Sequence, residues 1–266
     1  MKYSIPLFTV SFVLFFTLPV SSGELDKTLH EKCLYPTLQV YCPGSECSGT
    51  AVVLRSEKSE DTYRNIALTC AHVVRGMECP TIYVIKYKNW SQPDGQDKFK
   101  FRVIASDPKI DLALIAFESD QKLHTVDLGF EEKLFIGNEV VRVGGGLGDD
   151  LRVDFGKVTG VLVKLPSDKS KSCLRTSVYT VPGDSGGPLF HNNKLVGVMF
   201  CIRGAKVNGH MYPVFGVSYA VPISDLKKLD ESVNNTVSYA FDSSETLPVI
   251  PFVFSRLEAM KPKKGP

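Results

Sequence analysis

The most informative segment of the chain is Thr180-Val181-Pro182-Gly183-Asp184-Ser185-Gly186-Gly187-Pro188-Leu189-Phe190. A serine set between glycines can expose its hydroxyl while neighbouring backbone N–H groups converge on one point. In acyl transfer, a serine needs a base to become a nucleophile, and the tetrahedral intermediate needs donors directed at its oxyanion. Ser185 is therefore a candidate nucleophile, and the N–H groups of Gly183 and Ser185 are candidate oxyanion donors. The alternative is a plain glycine-rich turn.

A nucleophilic serine requires a histidine base and an acid, and both are present upstream. Residues 66–74 are predicted as an apolar strand that runs into His72, and Asp111 stands at the start of a second apolar run, 112–115. Taken alone, His72 would be interpreted as a core histidine and Asp111 as the cap of a strand or turn. Together with Ser185 they give the chain order His, Asp, Ser of one known catalytic triad.

These segments resemble those of trypsin-like serine peptidases of the chymotrypsin clan. Three further segments resemble the HtrA-type branch, namely DLAL at 111–114, VGGGLG at 143–148 leading to FGKVTGV at 155–161, and FGVSYAVP at 215–222. The resemblance covers most of residues 38–222. It implies that Ser185 is the nucleophile, His72 the base, Asp111 the acid that orients it, and Gly183 and Ser185 the oxyanion hole.

Short β-rich runs separated by polar, Gly or Pro breaks predict an all-β fold. The first six runs are 38–41, 50–54, 65–69, 82–85, 99–104 and 112–117, and the second six are 139–143, 153–163, 174–179, 187–190, 195–201 and 214–221. With the resemblance, they predict two six-stranded antiparallel β-barrels, at about 37–120 and 133–222, followed by a short C-terminal helix. The peptidase domain is then 37–232. The triad would meet in a cleft between the barrels.

Asp184 beside the nucleophile is expected to be buried and therefore paired. In digestive members of the family a newly cleaved N-terminal amine pairs with this aspartate, but the chain has no Ile-Val-Gly-Gly start after a basic residue. By the resemblance, Arg142 takes the amine's place, as an arginine does in some bacterial members. The alternative is that Arg142 is an exposed strand residue.

The resemblance also predicts the primary substrate pocket. Its lining residues are Tyr179, Thr180, Phe200, Cys201 and Gly216, on strands of the second barrel. No acid occupies the position that selects Arg or Lys in trypsin, so small or medium apolar substrate side chains are expected. Phe200 and its neighbour Met199 could equally be core residues.

Composition limits the possible partners. A formal net charge of +2 over 266 residues, without a basic run interleaved with aromatics, gives no indication of nucleic-acid binding. The histidines outside the triad have no metal-ligand spacing, so neither a metal nor a cofactor is implied, although loop carboxylates leave a calcium site open. Protein or peptide substrates are the expected partners, and the oligomeric state is left open.

The N-terminus predicts secretion. Lys2 precedes an apolar run at 5–20 and small residues at 21–23, so residues 1–23 are predicted as a signal peptide and 24–36 as a flexible N-terminal arm. A signal anchor is the alternative. The chain is expected to be secreted or extracytoplasmic, without stable membrane insertion once the signal is removed.

Seven cysteines suit an oxidising compartment, and because seven is an odd number, one thiol is either free or paired with another chain. Cys42 with Cys47 and Cys70 with Cys79 are the hypothetical disulfides. The sequons at Asn89 and Asn234 predict glycosylation in a eukaryotic source and are otherwise polar loop positions.

Residues 233–266 are predicted as a C-terminal tail. Its apolar segment, 246–254, either packs on a barrel surface or covers the cleft, and the tail is too short for the PDZ domain that usually follows an HtrA-type peptidase. The sequence as a whole predicts a secreted serine endopeptidase. The alternative is a catalytically silent homologue that binds a partner.

Overall fold

A computed structural model describes residues 27–42, 47–76, 81–88, 92–148, 150–208 and 210–229. Within this part of the chain the secondary structure is almost all strand. The strands are β1 (Thr37–Cys42), β2 (Cys47–Ser59), β3 (Thr62–Thr69), β4 (Thr81–Lys88), β5 (Gln92–Lys100), β6 (Arg102–Asp107), β7 (Leu112–Ser119), β8 (Asp127–Leu128), β9 (Glu139–Gly144), β10 (Arg152–Leu165), β11 (Asp168–Thr176), β12 (Pro188–His191), β13 (Lys194–Val207) and β14 (His210–Pro222). The all-β prediction is confirmed.

The helices in the described residues are single turns. A π-helical turn covers His30–Leu34, α1 covers Ala71–Val74, and 3₁₀ turns cover Gly146–Gly148 and Ile223–Asp225. The last of these continues as a helical turn over residues 226–229, where Leu226 and Leu229 are buried. The predicted short C-terminal helix is therefore present, and its apolar residues close the core at that end.

The strands form two seven-stranded sheets. The first has the order β5-β4-β1-β2-β3-β7-β6, and the second has the order β12-β9-β10-β11-β14-β13-β8. An additional pairing of β12 with β13 links six strands of the second sheet into a ring. All pairings are antiparallel except that of β8 with β13. The two-barrel architecture of the chymotrypsin-like fold fits this arrangement.

Each sheet has one strand more than expected, for a local reason. The run 99–104 is divided at Phe101 between β5 and β6. Most of β5 is polar and exposed, and it pairs only with β4 at the sheet edge, so it has no apolar alternation that a sequence pattern would detect. In the second sheet, β8 contains only two residues, which is below the length of a recognisable strand pattern.

The end of the N-terminal arm packs against the domain instead of forming a flexible segment. Cys33 and Leu34 are buried in the core, and the Thr37 hydroxyl donates to the Cys33 carbonyl at 2.7 Å. Lys32 forms a 2.9 Å ion pair with Asp127 of β8. The two apolar residues explain the packing, because their burial outweighs the polar character of the surrounding arm.

Several predictions concern residues outside the described part of the chain. These are the signal peptide (1–23), the tail (233–266), Asn89, Asn234, Cys79 and the side chains of Cys42 and Cys47. Cys33, Cys70, Cys173 and Cys201 are free thiols. In the described residues, no helix has the length and apolar character needed to cross a bilayer.

Candidate active site

His72 and Asp111 form the acid–base half of the candidate site. β3 ends at Thr69, and Cys70 in extended conformation starts α1, which positions His72 at the sheet end. Asp111 immediately precedes β7 and has a φ of +60°. His72 Nδ1 lies 2.8 Å from Asp111 Oδ2, and the His72 backbone N–H donates to Oδ1 at 3.0 Å. With Nδ1–H donating to the carboxylate, Nε2 is the ring nitrogen available to accept a proton.

The fixed pair is exposed on one side only. The His72 side chain is 40% exposed and that of Asp111 is 9% exposed. The carboxylate therefore orients the ring from the protein side, and the rest of the ring is accessible to solvent. This is the arrangement that a general base needs.

Ser185 lies in the loop between Thr180 and β12, and this loop is bound to the first sheet. The Thr50 N–H of β2 donates to the Ser185 carbonyl at 2.8 Å, and the Thr69 hydroxyl donates to the Thr50 carbonyl at 2.7 Å. Thr69 also ends the strand that leads to His72. These bonds connect the Ser185 loop to the strand end that positions His72.

The hydroxyl of Ser185 donates to the Phe200 carbonyl at 3.4 Å. In the described residues it has no hydrogen bond to His72, so the structure brings the His72–Asp111 pair together but does not close the Ser185–His72 contact. Catalytic hydrogen bonds are often long or misaligned without substrate and tighten in the substrate complex.

Gly186 is required by close packing at this junction. Its φ is +86°, and a Cβ placed there would clash with the Thr50 carbonyl oxygen and the Thr69 hydroxyl. Its N–H donates to the Met199 carbonyl at 2.7 Å. Only glycine combines this backbone conformation with so close an approach of two strands.

The candidate oxyanion donors have their orientation set by neighbouring loops. The Pro182 carbonyl accepts the Leu147 N–H at 2.7 Å, and because no cis peptide is present, the Gly183 N–H points the opposite way. The Gly183 carbonyl accepts the Thr50 hydroxyl at 2.9 Å, and Gly183 has a φ of +97°. Among the described residues neither the Gly183 nor the Ser185 N–H has an acceptor. Both donors are thus free for a ligand.

Asp184 is buried next to Ser185 and is fully paired. Arg142 Nη1 lies 2.5 Å from Asp184 Oδ1, and the Val181 N–H donates to Oδ2 at 2.8 Å. Arg142 is 0% exposed, which excludes the alternative of an exposed strand residue. Burial raises the pKa of Asp184, and the charge of Arg142 acts against that rise.

Two further side chains complete this buried network. Arg142 Nη2 also contacts Asp154 Oδ2 on the neighbouring strand β10. Arg152 Nη2 lies 3.7 Å from Asp184 Oδ2. A sequence pattern could not identify Arg152, because only the pairing of the first residue of β10 with Gly144 of β9 brings it to Asp184.

The predicted pocket residues differ in their exposure to solvent. Tyr179 is 41% exposed and stacks on Phe215 with ring centroids 5.3 Å apart. Gly216 has a φ of +74° and open space where a Cβ would point. Thr180 is buried, and its hydroxyl has no partner among the described residues. Tyr179 and Gly216 are therefore accessible, as lining residues must be.

Met199 and Phe200 of β13 are both core residues. Met199 is fully buried in the core of the second sheet, and Phe200 belongs to the larger core cluster, so the core interpretation is right for both residues. Phe200 is 8% exposed and receives the Ser185 hydroxyl on its carbonyl, while Cys201 is half-buried.

Cys70 belongs to the site, whereas the sequence predicted that it forms a disulfide. Its thiol is free and completely buried, and it contacts the Met199 carbonyl at 3.2 Å. The predicted Cys70–Cys79 bond is therefore wrong for this structure, because the side chain points into the junction of the two sheets and not toward the loop after His72. Burial raises the pKa of this thiol well above its ordinary value.

The ligand atoms of Cys70, His72 and Asp111 all lie within 4.8 Å of one another. These are metal-binding residue types. In this arrangement Asp111 Oδ2 is engaged with His72 Nδ1 and Asp111 Oδ1 with the His72 backbone N–H, which favours an acid–base pair.

Thr50 is the other residue that the sequence did not reveal. Its hydroxyl donates to the Gly183 carbonyl and accepts the Gly145 N–H at 3.1 Å, and its N–H donates to the Ser185 carbonyl. One threonine of the first sheet thus joins the Ser185 loop and the loop after β9. No pattern around Thr50 distinguishes it from other strand threonines.

Comparison with known proteins identifies the family of this chain. The family model described as the trypsin-like peptidase domain matches residues 49–198. A probable periplasmic serine endoprotease, DegP-like, of Halomonas elongata is 32% identical over 66% of this chain and 34% of its own. Its counterpart in Marinomonas sp. is 33% identical over 62% of this chain and 31% of its own. The chain thus spans about a third of the length of these relatives.

Among solved structures, an HtrA-type protease, an AlgW variant together with a tripeptide, has a TM-score of 0.62. It is 19% identical and covers 80% of this chain and 64% of its own, so the similarity concerns the fold. The HtrA-type resemblance is confirmed by these relatives and by this fold. The chain belongs to the trypsin-like peptidase family.

Proposed function

We propose that this chain is an extracytoplasmic serine endopeptidase that hydrolyses protein or peptide substrates through Ser185, His72 and Asp111. The observation that supports this most directly is the His72 Nδ1 to Asp111 Oδ2 contact of 2.8 Å at the sheet junction to which the Ser185 loop is bonded. The names of the relatives, which are periplasmic serine endoproteases, support both the reaction and the location.

In the proposed reaction, the Ser185 hydroxyl attacks the scissile carbonyl carbon. It first rotates away from the Phe200 carbonyl, and His72 Nε2 takes its proton as the C–O bond forms. Asp111 keeps the ring in the tautomer that can accept this proton and stabilises the resulting imidazolium. The two unpaired N–H groups of Gly183 and Ser185 receive the negative oxygen of the tetrahedral intermediate.

The intermediate then collapses to an acyl-enzyme. His72 returns the proton to the leaving amine, the C–N bond breaks, and the acyl group stays on Ser185. Water repeats the sequence, giving up a proton to His72 as it attacks the ester carbonyl. The Ser185 hydroxyl is restored when the acid product leaves.

The Arg142–Asp184 pair is proposed to support the oxyanion hole without proteolytic activation. Asp184 lies between the two residues that donate to the oxyanion, so a fixed carboxylate fixes the backbone on both sides of it. A guanidinium from β9 is already in place and does not depend on a new N-terminus.

The pocket lined by Tyr179, Thr180, Phe200, Cys201 and Gly216 is proposed to take small or medium apolar side chains. The stacked rings of Tyr179 and Phe215 occupy space that would otherwise lengthen the pocket. The absence of an acidic side chain in this set gives a basic residue no partner.

The test is labelling of the purified protein with a fluorophosphonate probe, followed by peptide mapping. Labelling is expected on Ser185 in the parent protein, none in Ser185→Ala, and unchanged labelling in Ser167→Ala, whose serine lies in an exposed turn. Equal labelling of Ser185→Ala and the parent would overturn the assignment. No labelling of a folded parent protein would favour the catalytically silent homologue that binds a partner.

A further inference from the structure

Lys171 lies over the ring of Phe200, the residue whose carbonyl accepts a hydrogen bond from the candidate nucleophile. It is a half-buried residue of β11, and its Nζ is 6.0 Å from the centroid of the Phe200 ring. The carbonyl of the same Phe200 accepts the Ser185 hydroxyl at 3.4 Å. One phenylalanine therefore separates a cationic side chain from the reacting centre.

Among the described residues this cation forms no close ion pair, although its charge contributes to lowering the pKa of Asp168, after the hydrogen bonds from Ser170. Asp168, the acid of the same hairpin, accepts from the Ser170 N–H at 3.0 Å and the Ser170 hydroxyl at 2.6 Å. The neighbouring Lys164 donates to Ser172 Oγ at 3.0 Å. Contact with an aromatic face stabilises a cation without neutralising it. The charge of Lys171 thus stays available to a ligand.

The charge of Lys171 also reaches groups on the catalytic side of the cleft. Burial has the largest effect on the thiols of Cys70 and Cys201 and raises the pKa of both. The positive charge of Lys171 lowers the pKa of each thiol. Cys70 is the residue whose Sγ lies within 4.8 Å of the ligand atoms of His72 and Asp111. A charge that is felt at these positions is felt by a peptide lying between them.

The backbone next to Phe200 can position such a peptide. On one edge, Cys201 pairs with Tyr219 and Ile202 pairs with Ser218 of β14. On the other edge, β12 and β8 pair with β13 only between Lys194 and Val198, so within the described residues 200–202 have no strand there. An extended peptide can add to this edge by main-chain hydrogen bonds.

We propose that Lys171 is a specificity-determining residue that favours substrates with Asp or Glu at the second, third or fourth position before the scissile bond. The proposal rests on the proposed peptidase function and adds a substrate class to it. The residue directly before the scissile bond fills the pocket near Tyr179, and the preceding residues extend along Phe200 toward Lys171.

The effect is limited because Lys171 is only half-buried. Partly exposed ion pairs of this kind give a preference of about 2-fold to 5-fold in kcat/KM for an acidic over an isosteric neutral residue. The preference should decrease as salt is added, since screening acts on charges that water can reach.

The test is a set of quenched fluorescent peptides in which the second, third and fourth positions carry Glu, Gln or Lys in turn. The parent protein should cleave the Glu peptide fastest at one of these positions. Lys171→Met should remove the difference between Glu and Gln, and Lys171→Glu should reverse it in favour of Lys. Lys169→Met is the matched control, because Lys169 is an exposed residue of the same strand.

Fluorophosphonate labelling of all variants distinguishes a failure of the role proposed for Lys171 from a failure of the proposed peptidase function. A protein that labels on Ser185 and cleaves all peptides without a Glu preference would overturn the role of Lys171 and leave the peptidase function intact. An equal loss of preference in Lys169→Met would also overturn it. A folded protein that neither labels nor cleaves would overturn the proposed function itself, and with it this inference.

Discussion

Arg142 and Asp184 form an ion pair of 2.5 Å in which neither side chain is exposed to solvent. The pair joins strand β9 to the loop that positions Ser185. Taking two charges out of water is costly, and a buried pair is tolerated when each partner satisfies the other. Here the carboxylate also accepts the Val181 N–H, so the geometry of the Ser185 loop depends on the pair.

Replacing Arg142 by Met should therefore destabilise the protein and abolish its activity. The change leaves a buried carboxylate without its cation, and the free energy of unfolding should fall by about 3–5 kcal/mol. Urea unfolding in the Ser185→Ala background measures this without autolysis. The double variant Arg142→Met with Asp184→Asn should regain part of the lost stability. When it carries Ser185, the double variant should still not be labelled by the fluorophosphonate probe. Full labelling of Arg142→Met would contradict the proposed support of the oxyanion hole.

Thr50→Val tests the connection between the first sheet and the Ser185 loop. The loss of the hydroxyl leaves the Gly183 carbonyl and the Gly145 N–H without a partner, which should cost about 1–3 kcal/mol. Because these groups orient the oxyanion donors, kcat should decrease more than KM increases. Thr50→Ser keeps the hydroxyl and should keep most of the activity. A similar loss of activity in Thr50→Val and Thr50→Ser would show that the packing of the side chain, and not its hydroxyl, matters.

Gly186→Ala should be far more harmful than a change at a glycine with similar backbone geometry but free space. The new methyl group would meet the Thr50 carbonyl and the Thr69 hydroxyl, so we expect a loss of more than about 3 kcal/mol and no labelling. Gly95, with a φ of +106° and open surroundings, is the control, and Gly95→Ala should cost only about 1–2 kcal/mol. Thermal unfolding compares the two. Equal effects would show that strain, not close packing, dominates at Gly186.

Asp111→Asn should leave the fold intact and remove most of the activity. Asparagine tolerates the φ of +60° at this position, so little backbone strain is added. Its amide cannot accept from both His72 donors, and the ring loses the tautomer that the reaction requires, which should lower kcat by a factor on the order of 10⁴. Circular dichroism and peptide hydrolysis provide the measurement, with Asp107→Asn as a control outside the site. Near-normal hydrolysis would show that Asp111 does not orient the base.

The thiol of Cys201 should react slowly with iodoacetamide in the folded protein. Burial, followed by the negative charge of Asp111, raises its pKa, so at about pH 8 less thiolate is present than in the unfolded chain. The alkylation rate should continue to rise with pH beyond the point where that of the unfolded chain levels off. Lys171 lowers this pKa, so Lys171→Met should slow the reaction further. Mass spectrometry with Cys201→Ser as a blank measures the rates, and a faster reaction in Lys171→Met would contradict the placement of Lys171.

The fold class, six of the seven strands of the second sheet and the family resemblance could be predicted from the sequence. Period-2 apolar runs and the motifs around His72, Asp111 and Ser185 are local patterns, and they are readable without coordinates. The position of Arg142 against Asp184 was also predictable, although only through the resemblance. The edge strand β5 and the two-residue strand β8 could not be predicted. β5 is polar and has no apolar alternation, and β8 is too short to show one.

Only the folded structure shows which residues, distant in sequence, complete the site. Thr50, Cys70, Arg152 and Lys171 reach it from separate strands and turns, and no spacing in the chain relates them to Ser185. It also decided that Cys70 is a buried thiol and not half of a disulfide. The physical reason is that strand patterns specify which face of each sheet is apolar, whereas the contacts across the junction depend on how the two closely packed sheets meet.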